Sequence, residues 1–235
     1  KNIFNKKMIN FHIQRRIIQS RFIKKTKFLR SYYNSLCVQS LPESDFIFLP
    51  LHYQPESSTS PFGQMYSDQK YFIEEVLHLS SYLKYSLVVK EHPTQKATGR
   101  TLSFYEDFKN NKNLFFVKSD FDQYEIIKKC KFLVTITGTA GWEGIFLGKP
   151  VVSYGSSYLK HAPGVYNVNY NDDHEKIKKY LKNFKKPSIN DIRLFFKAVE
   201  LTSIKGFIVG DNEQIGMQMD ENGFKKSANA FLKFF

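Results

Sequence analysis

The sequence predicts an α/β fold, a Rossmann-like parallel sheet flanked by helices and preceded by a basic helical segment. Three observations point there. Short unbroken apolar runs, such as Phe46–Pro50, Tyr85–Lys90 and Phe132–Ile136, alternate with stretches of helical periodicity. That alternation is the pattern of strands buried on both faces and joined by helical crossovers. Several runs end in turn-forming or small residues, as at Glu91-His92-Pro93 and Thr137-Gly138-Thr139-Ala140. Finally, 42% of the 235 residues are hydrophobic, including 23 Phe and 14 Tyr, enough apolar bulk for a large core.

The elements follow in order. Residues 1–36 read as one or two basic helices, with Ile and Phe recurring between the charges at helical spacing. Residues 42–45 read as a linker. Phe46–Pro50 is a buried strand, followed by a polar loop from His52 to Pro61. Ser67–Leu83 is a helix capped by Ser67 or Asp68. Tyr85–Lys90 is a strand, and Leu102–Lys109 the region of the next helix. Leu114–Val117 is a strand, Phe121–Cys130 a helix and Phe132–Ile136 a strand. Gly141–Leu147 is a short helix that Gly148-Lys149-Pro150 breaks, and Val151–Tyr154 is a strand. Asp172–Phe184 and Ile189–Leu201 are helices. Phe207–Val209 fits a strand and Lys225–Phe234 a closing helix. The expected domains are a basic segment and linker over 1–45, a Rossmann-like domain over 46–205 and a closing segment over 206–235.

Charge sharpens the first element. Of the formal net charge of +13, ten positive charges lie in residues 1–30 without a single Asp or Glu, leaving +3 for the other residues. The remainder is only mildly basic, and no nucleic-acid recognition motif is present. Cys37 and Cys130 are distant in sequence, with no metal-ligand spacing and no disulfide framework, so both read as reduced thiols of a cytoplasmic protein. No apolar run approaches the roughly 20 residues that span a bilayer, and no signal peptide is visible.

In a parallel sheet, ligands bind beyond the carboxyl ends of the strands. The segments placed there are His52–Ser60, Glu91–Pro93, Thr137–Glu143 and Gly155–His161. In Thr137-Gly138-Thr139-Ala140-Gly141-Trp142-Glu143, small residues permit close approach to the backbone. Free N–H groups at a helix start suit a phosphate, and Glu143 suits a ribose diol. A tight strand–helix turn with threonine caps fits the same residues. In Lys90-Glu91-His92-Pro93, His92 is placed to donate to a phosphate or leaving oxygen, with Lys90 or Glu91 orienting it; a surface His before a turn is the plainer alternative. The hydroxyl-rich loop from His52 to Ser60 suits a phosphate or sugar, or is simply solvated. The phosphate-loop and dinucleotide fingerprints are absent, as are a metal cluster and a nucleophile elbow.

Four stretches resemble the capsule polysaccharide biosynthesis family, which includes the Kdo transferases of capsule export. They are LPLHYQPESSTSP (Leu49–Pro61), VVKEHP (Val88–Pro93), GRTLSFY (Gly99–Tyr105) and VTITGTAGWEGIFLGKPVV (Val134–Val152). The agreement runs from about residue 46 to 168. The resemblance implies the donor-binding C-terminal half of a GT-B glycosyltransferase, moving a sugar from a nucleotide-activated donor, CMP-Kdo or a related acidic sugar, to a surface polysaccharide or glycolipid. His92 and Glu91 would serve the chemistry. Lys90, Gln54, Glu56, Thr137, Gly138, Thr139, Gly141 and Glu143 would hold the donor. No metal and no cofactor is implied, the nucleotide sugar being the substrate. The acceptor domain would lie outside this chain, leaving it incomplete and inactive alone. Residues 1–36 would be an interdomain connection or a contact with anionic lipid at the inner membrane face. A nucleotide-sugar epimerase and a non-catalytic nucleotide-sugar-binding module fit parts of the same pattern.

Overall fold

The computed structural model describes residues 2–56, 59–203, 225 and 229, with the backbone alone for 2–12. Two compact units are formed, Lys1–Pro187 and Ser188–Phe235. The expected strand at 207–209 lies outside the described residues, as does the expected closing helix except Lys225 and Asn229, which are helical.

The first unit opens with one continuous helix, α1 (Asn2–Leu36). No Pro or Gly interrupts it. Among its described side chains Leu29 and Tyr33 are buried, whereas Ile13, Ile17, Ile18, Ile23 and Phe28 are exposed. The chain passes directly into β1 (Cys37–Val38), a two-residue strand that the sequence did not announce. The expected boundary at residue 45 therefore falls inside the sheet-forming unit.

The remaining elements of this unit are β2 (Phe46–Pro50), α2 (Gln69–Leu83), β3 (Ser86–Lys90), α3 (Leu102–Glu106), β4 (Leu114–Val117), α4 (Gln123–Lys129), β5 (Phe132–Thr135), α5 (Ala140–Phe146), β6 (Val151–Ser153), β7 (Val165–Asn167) and α6 (His174–Asn183). Single-turn 3-10 segments at Gln64–Ser67 and Tyr158–His161 fill two loops. Several helix starts are capped by the acceptor just before the first turn. Asp68 takes Lys70 N–H, Thr101 takes Phe104 N–H, Asp122 takes Tyr124 N–H and Asp173 takes Lys176 N–H. In the second unit, α7 (Ile189–Thr202) begins with a reciprocal Ser188–Asp191 capping box.

Among the described residues, seven parallel strands form one sheet in the order β1-β4-β3-β2-β5-β6-β7. β2 and β3 are buried along their whole length, as continuous apolar strands covered on both faces must be. Each fully buried Leu, Ile or Phe there contributes roughly 1.5–3 kcal/mol, so the centre is the firmest part of the sheet. Phe72, Ile73, Val76 and Leu79 of α2 form a single buried stripe over it.

The order places the working end. From β2 the chain builds outward through β3 to β4, then α4 brings it back so that β5 lies on the other side of β2. The β2/β5 junction is thus a topological switch point, where a crevice opens at the carboxyl ends of the strands. Register aligns that edge, with Pro50 opposite Lys90 and Lys90 opposite Val117.

Candidate functional site

At this switch point lies a cleft of about 380 Å³, within the range of small-molecule sites. The loops after β2, β3 and β5 converge on it. Glu56, Lys90, Glu91, His92, Thr137, Gly138 and Thr139 line it, together with His52, Gln123 and Ala140.

His92 follows the end of β3. Its Nδ1 accepts from Thr94 N–H at 3.3 Å and sits 3.0 Å from Thr94 Oγ1. A backbone N–H only donates, so in the neutral ring Nε2 carries the proton and is a donor for the cleft. Burial, partly offset by the charges of Glu91 and Glu56, lowers the His92 pKa, which favours this neutral donor. Tyr53 packs edge-on against the ring at 5.7 Å.

His52, one residue beyond Leu51, is a different kind of histidine. It is buried, its Nε2 accepts from Ile136 N–H at 3.2 Å and lies 3.1 Å from Thr135 Oγ1. Thr135 Oγ1 also accepts from Gly138 N–H at 3.0 Å. Burial, then the charges of Arg100 and His92, push its pKa down to about 4. His52 therefore stays neutral and ties the end of β2 to the turn after β5. A Cβ on Gly138 would come within 2.9 Å of His52 Cε1, so this close approach requires glycine.

The Thr137–Glu143 stretch divides by residue. Gly141 N–H and Trp142 N–H bond back to Gly138 O and Thr139 O. Thr139 and Ala140 line the cleft, and among the described residues no acceptor is placed for their N–H groups. The threonine cap of the plainer alternative is not formed at Thr139, whose side chain makes no capping bond. Gly141 is buried away from the cleft, where a Cβ would meet Leu159 Cδ2 at 2.5 Å, so its small size serves packing. Glu143 is not a wall of the cleft. Its Oε2 accepts from Gln123 Nε2 at 2.6 Å, and Gln123 Oε1 accepts from Lys90 Nζ at 3.3 Å. Gln123 thus links cation to carboxylate. Burial lowers the Lys90 pKa, against the opposing pull of Glu143, Asp122 and Asp120.

Two expected ligand or catalytic residues prove to be spent on the fold. Glu91 is 4% exposed and Arg100 3% exposed. Arg100 Nε meets Glu91 Oε2 at 2.8 Å, Tyr105 O–H donates to the same oxygen at 2.7 Å, and His92 N–H donates to Oε1 at 2.8 Å. With both oxygens engaged in a buried pair, Glu91 anchors the His92 segment and is not placed for proton transfer to a ligand. Gln54 was expected to line the same cleft. Instead its Oε1 accepts from Arg100 and its Nε2 donates to Ser67 O, bracing the loop from behind. Arg100 also donates to His52 O and to Gln69 Oε1, both at 3.1 Å. α1 joins this brace through Tyr33, whose hydroxyl accepts from Glu91 N–H at 2.9 Å and donates to Val117 O.

Sequence reasoning passed over Arg100, Gln123 and His52 as individual site residues. The strand-end rule held the signal for Gln123, because Lys118–Asp122 follows β4 as the chosen segments follow β2, β3 and β5. Among the described residues no three His, Cys, Asp or Glu side chains are grouped to hold a metal ion, and no helix is long and apolar enough to cross a membrane.

A family model described as capsule polysaccharide biosynthesis protein matches residues 38–178, more than half of the chain. No curated protein sequence matches. Solved structures similar to the chain include a UDP-GlcNAc 2-epimerase of Methanocaldococcus jannaschii in complex with UDP-GlcNAc and UDP, at 16% identity and a TM-score of 0.46, covering 76% of this chain and 49% of that one. The KpsC beta Kdo 2,4 transferase of Thermosulfurimonas dismutans is 14% identical with a TM-score of 0.42, covering 71% and 53%. The KpsC beta Kdo 2,7 transferase of the same organism is 16% identical with a TM-score of 0.41, covering 80% and 63%. The chain spans about half the length of the first two of these structures.

Proposed function

The chain belongs to the capsule polysaccharide biosynthesis family, and from that premise we propose that it is the donor-binding half of a GT-B glycosyltransferase. In this reading the cleft between β2 and β5 takes the nucleotide-sugar donor. The observation that carries it is the convergence of His92, Lys90, Thr139 and Ala140 on one cleft at the switch point.

These groups suit a phosphate that gains negative charge as the glycosidic bond to it breaks. Donors already in place at that point lower the barrier without reorganising. His92 donates from Nε2 to a leaving oxygen, Lys90 adds positive charge, and the backbone N–H groups hold the remaining oxygens. His52 and Gly138 keep the turn close to the end of β2. Gln123, in the cleft wall and held by Glu143 behind it, is the acceptor for a ribose.

A CMP-sugar donor, Kdo or a related acidic sugar, is the first choice, supported by family membership. The acceptor is a surface polysaccharide or glycolipid, and the acceptor domain with the catalytic base comes from outside this chain. Peripheral attachment to the cytoplasmic face of an anionic membrane is part of the reading. Its support is the exposed cations and exposed Ile and Phe side chains of α1. Absence of binding to anionic vesicles at low salt would remove that attachment.

A thermal-shift series with CMP, CDP, UDP and GDP tests the donor site, because a ligand bound only by the folded state raises the midpoint. The expected result is a shift with CMP. A shift with UDP alone moves the donor class and keeps the transferase. No shift with any of the four removes the donor site.

A further inference from the structure

α1 meets the site at more points than Tyr33. Thr26, Arg30 and Tyr33 recur at positions i, i+4 and i+7, so they share one face of the helix. All three bond to the backbone of the segment from Glu91 to Ala97. Arg30 Nη2 donates to Pro93 O at 2.8 Å, Thr26 Oγ1 accepts from Ala97 N–H at 3.3 Å, and the Tyr33 hydroxyl accepts from Glu91 N–H at 2.9 Å. His92 stands inside the segment that these bonds hold.

The segment is fastened differently on its two sides. On the inner side, Gln95 Oε1 accepts from Gln54 N–H at 2.8 Å and its Nε2 donates to Gln54 O at 2.9 Å. Pro93 and Thr94 form an exposed outer tip, which Arg30 reaches from 63 positions away. A void of about 20 Å³ lies between α1 and the segment, and His92 lines both this void and the cleft. The bond from Thr94 N–H to His92 Nδ1 spans the same tip. A tip that drifts would release Nδ1, and with it the preference for the proton on Nε2.

Hydrogen bonds weaken steeply with misalignment, so a side chain that donates to a ligand needs supports that do not touch the ligand. We propose that α1 is part of the cleft's machinery, with Arg30 and Thr26 as positioning residues that hold the His92 segment. Its bearing on donor binding rests on the reading of the cleft as the donor site.

Imidazole nitrogen NMR of the full chain tests the hold without any ligand, and His92→Ala identifies the His92 signals. The parent should show the Nε2–H form. Arg30→Met and Thr26→Val combined should give a mixture of tautomers. Arg30→Lys, which keeps a charged donor, should retain the parent pattern. Arg30 is exposed, so its loss strands no buried charge and the urea midpoint should change little. Calorimetry adds the ligand. The combined variant should bind CMP about three- to fivefold more weakly, part of the roughly tenfold effect of a hydrogen bond to a charged group, and bind cytidine as the parent does. In the His92→Ala background the same pair should weaken CMP no further. The proposal is overturned if the combined variant keeps the parent's tautomer, if it binds CMP as the parent does, if CMP and cytidine weaken together, or if the loss persists in the His92→Ala background. Mixed tautomers in a chain whose parent binds no CMP uphold the hold on His92 and remove the donor reading alone. Phosphate-dependent CMP binding that ignores both substitutions does the reverse.

Discussion

Glu91 and His92 are neighbours in sequence and belong to regions of opposite character. Behind the strand ends, Glu91 sits in a brace with Arg100, Tyr105, Tyr33, Gln54 and Gln69, where nearly every polar atom is engaged within the protein. In front, the cleft presents His92, Lys90 and the Thr137–Ala140 turn, where donors remain for a ligand. Successive side chains at a strand end point in opposite directions, so two adjacent polar residues are sorted into different tasks. The comparison teaches that a polar residue near a sheet edge is assigned by what its atoms already hold. The brace makes the cleft's geometry rigid, and the cleft spends that rigidity on a ligand.

Breaking the brace should have the largest effect. Arg100→Met leaves the Glu91 carboxylate buried without its partner, a change expected to cost about 3–5 kcal/mol. Urea unfolding would show it as a lower midpoint, and the nucleotide response would vanish with the fold. A loss under about 1 kcal/mol would mean that the pair is not the anchor argued above.

The second test uses pH. His52 has a folded pKa of about 4 against an ordinary 6.5, so between these values the unfolded chain binds more protons. Its contribution is complete above pH 6.5 and is lost as pH falls toward 4. At about 1.4 kcal/mol per pKa unit, the loss is about 3 kcal/mol. Urea midpoints measured from pH 7.5 to 4.5 should fall with this profile, and His52→Asn should flatten it. A parent profile without a decline over this window would contradict a neutral, buried His52.

The cleft residues should affect binding far more than folding. His92→Ala is expected to leave the urea midpoint nearly unchanged and to weaken CMP binding roughly tenfold or more, the effect of losing a hydrogen bond to a charged group. Cytidine, lacking the phosphate, should bind both forms alike. Equal losses for CMP and cytidine would take His92 away from the phosphate. The smallest effect is expected from Gln123→Ala, which uncouples Lys90 from Glu143. Calorimetry should show about 1 kcal/mol less favourable CMP binding, and an unchanged affinity would leave Gln123 a structural link only.

Much of this could be read before any coordinates. The buried strands were legible because β2, β3 and β5 are apolar along their lengths, and the cap of α2 was legible as Ser67 or Asp68, of which the structure uses Asp68. The edge strands β1 and β7 were not. Cys37–Val38 and Val165–Asn167 are too short to carry a pattern, and they are strands because β4 and β6 lie beside them. The convergence of the strand ends was likewise legible, since runs ending at Lys90 and Ile136 in a parallel sheet must deliver their loops to one edge. What escaped was the partner of each polar atom. Arg100 lay in the GRTLSFY stretch, but nothing local showed that it holds Glu91, Gln54, Gln69 and the His52 carbonyl.

By itself the sequence determined the parallel α/β class, the family and the loops that meet at the switch point, because these follow from local periodicity and from short motifs. The tertiary structure alone decided which residues within those loops face a ligand. It committed Glu91, in the cleft wall, and Gln54, behind it, to the brace, placed Glu143 behind Gln123, and brought Gln123 and His52 into the cleft wall. The physical reason is that burial and hydrogen bonding are set by groups distant in sequence. Arg100 reaches Gln54 across 46 positions and His52 reaches Thr135 across 83, and no local window contains both members of either pair.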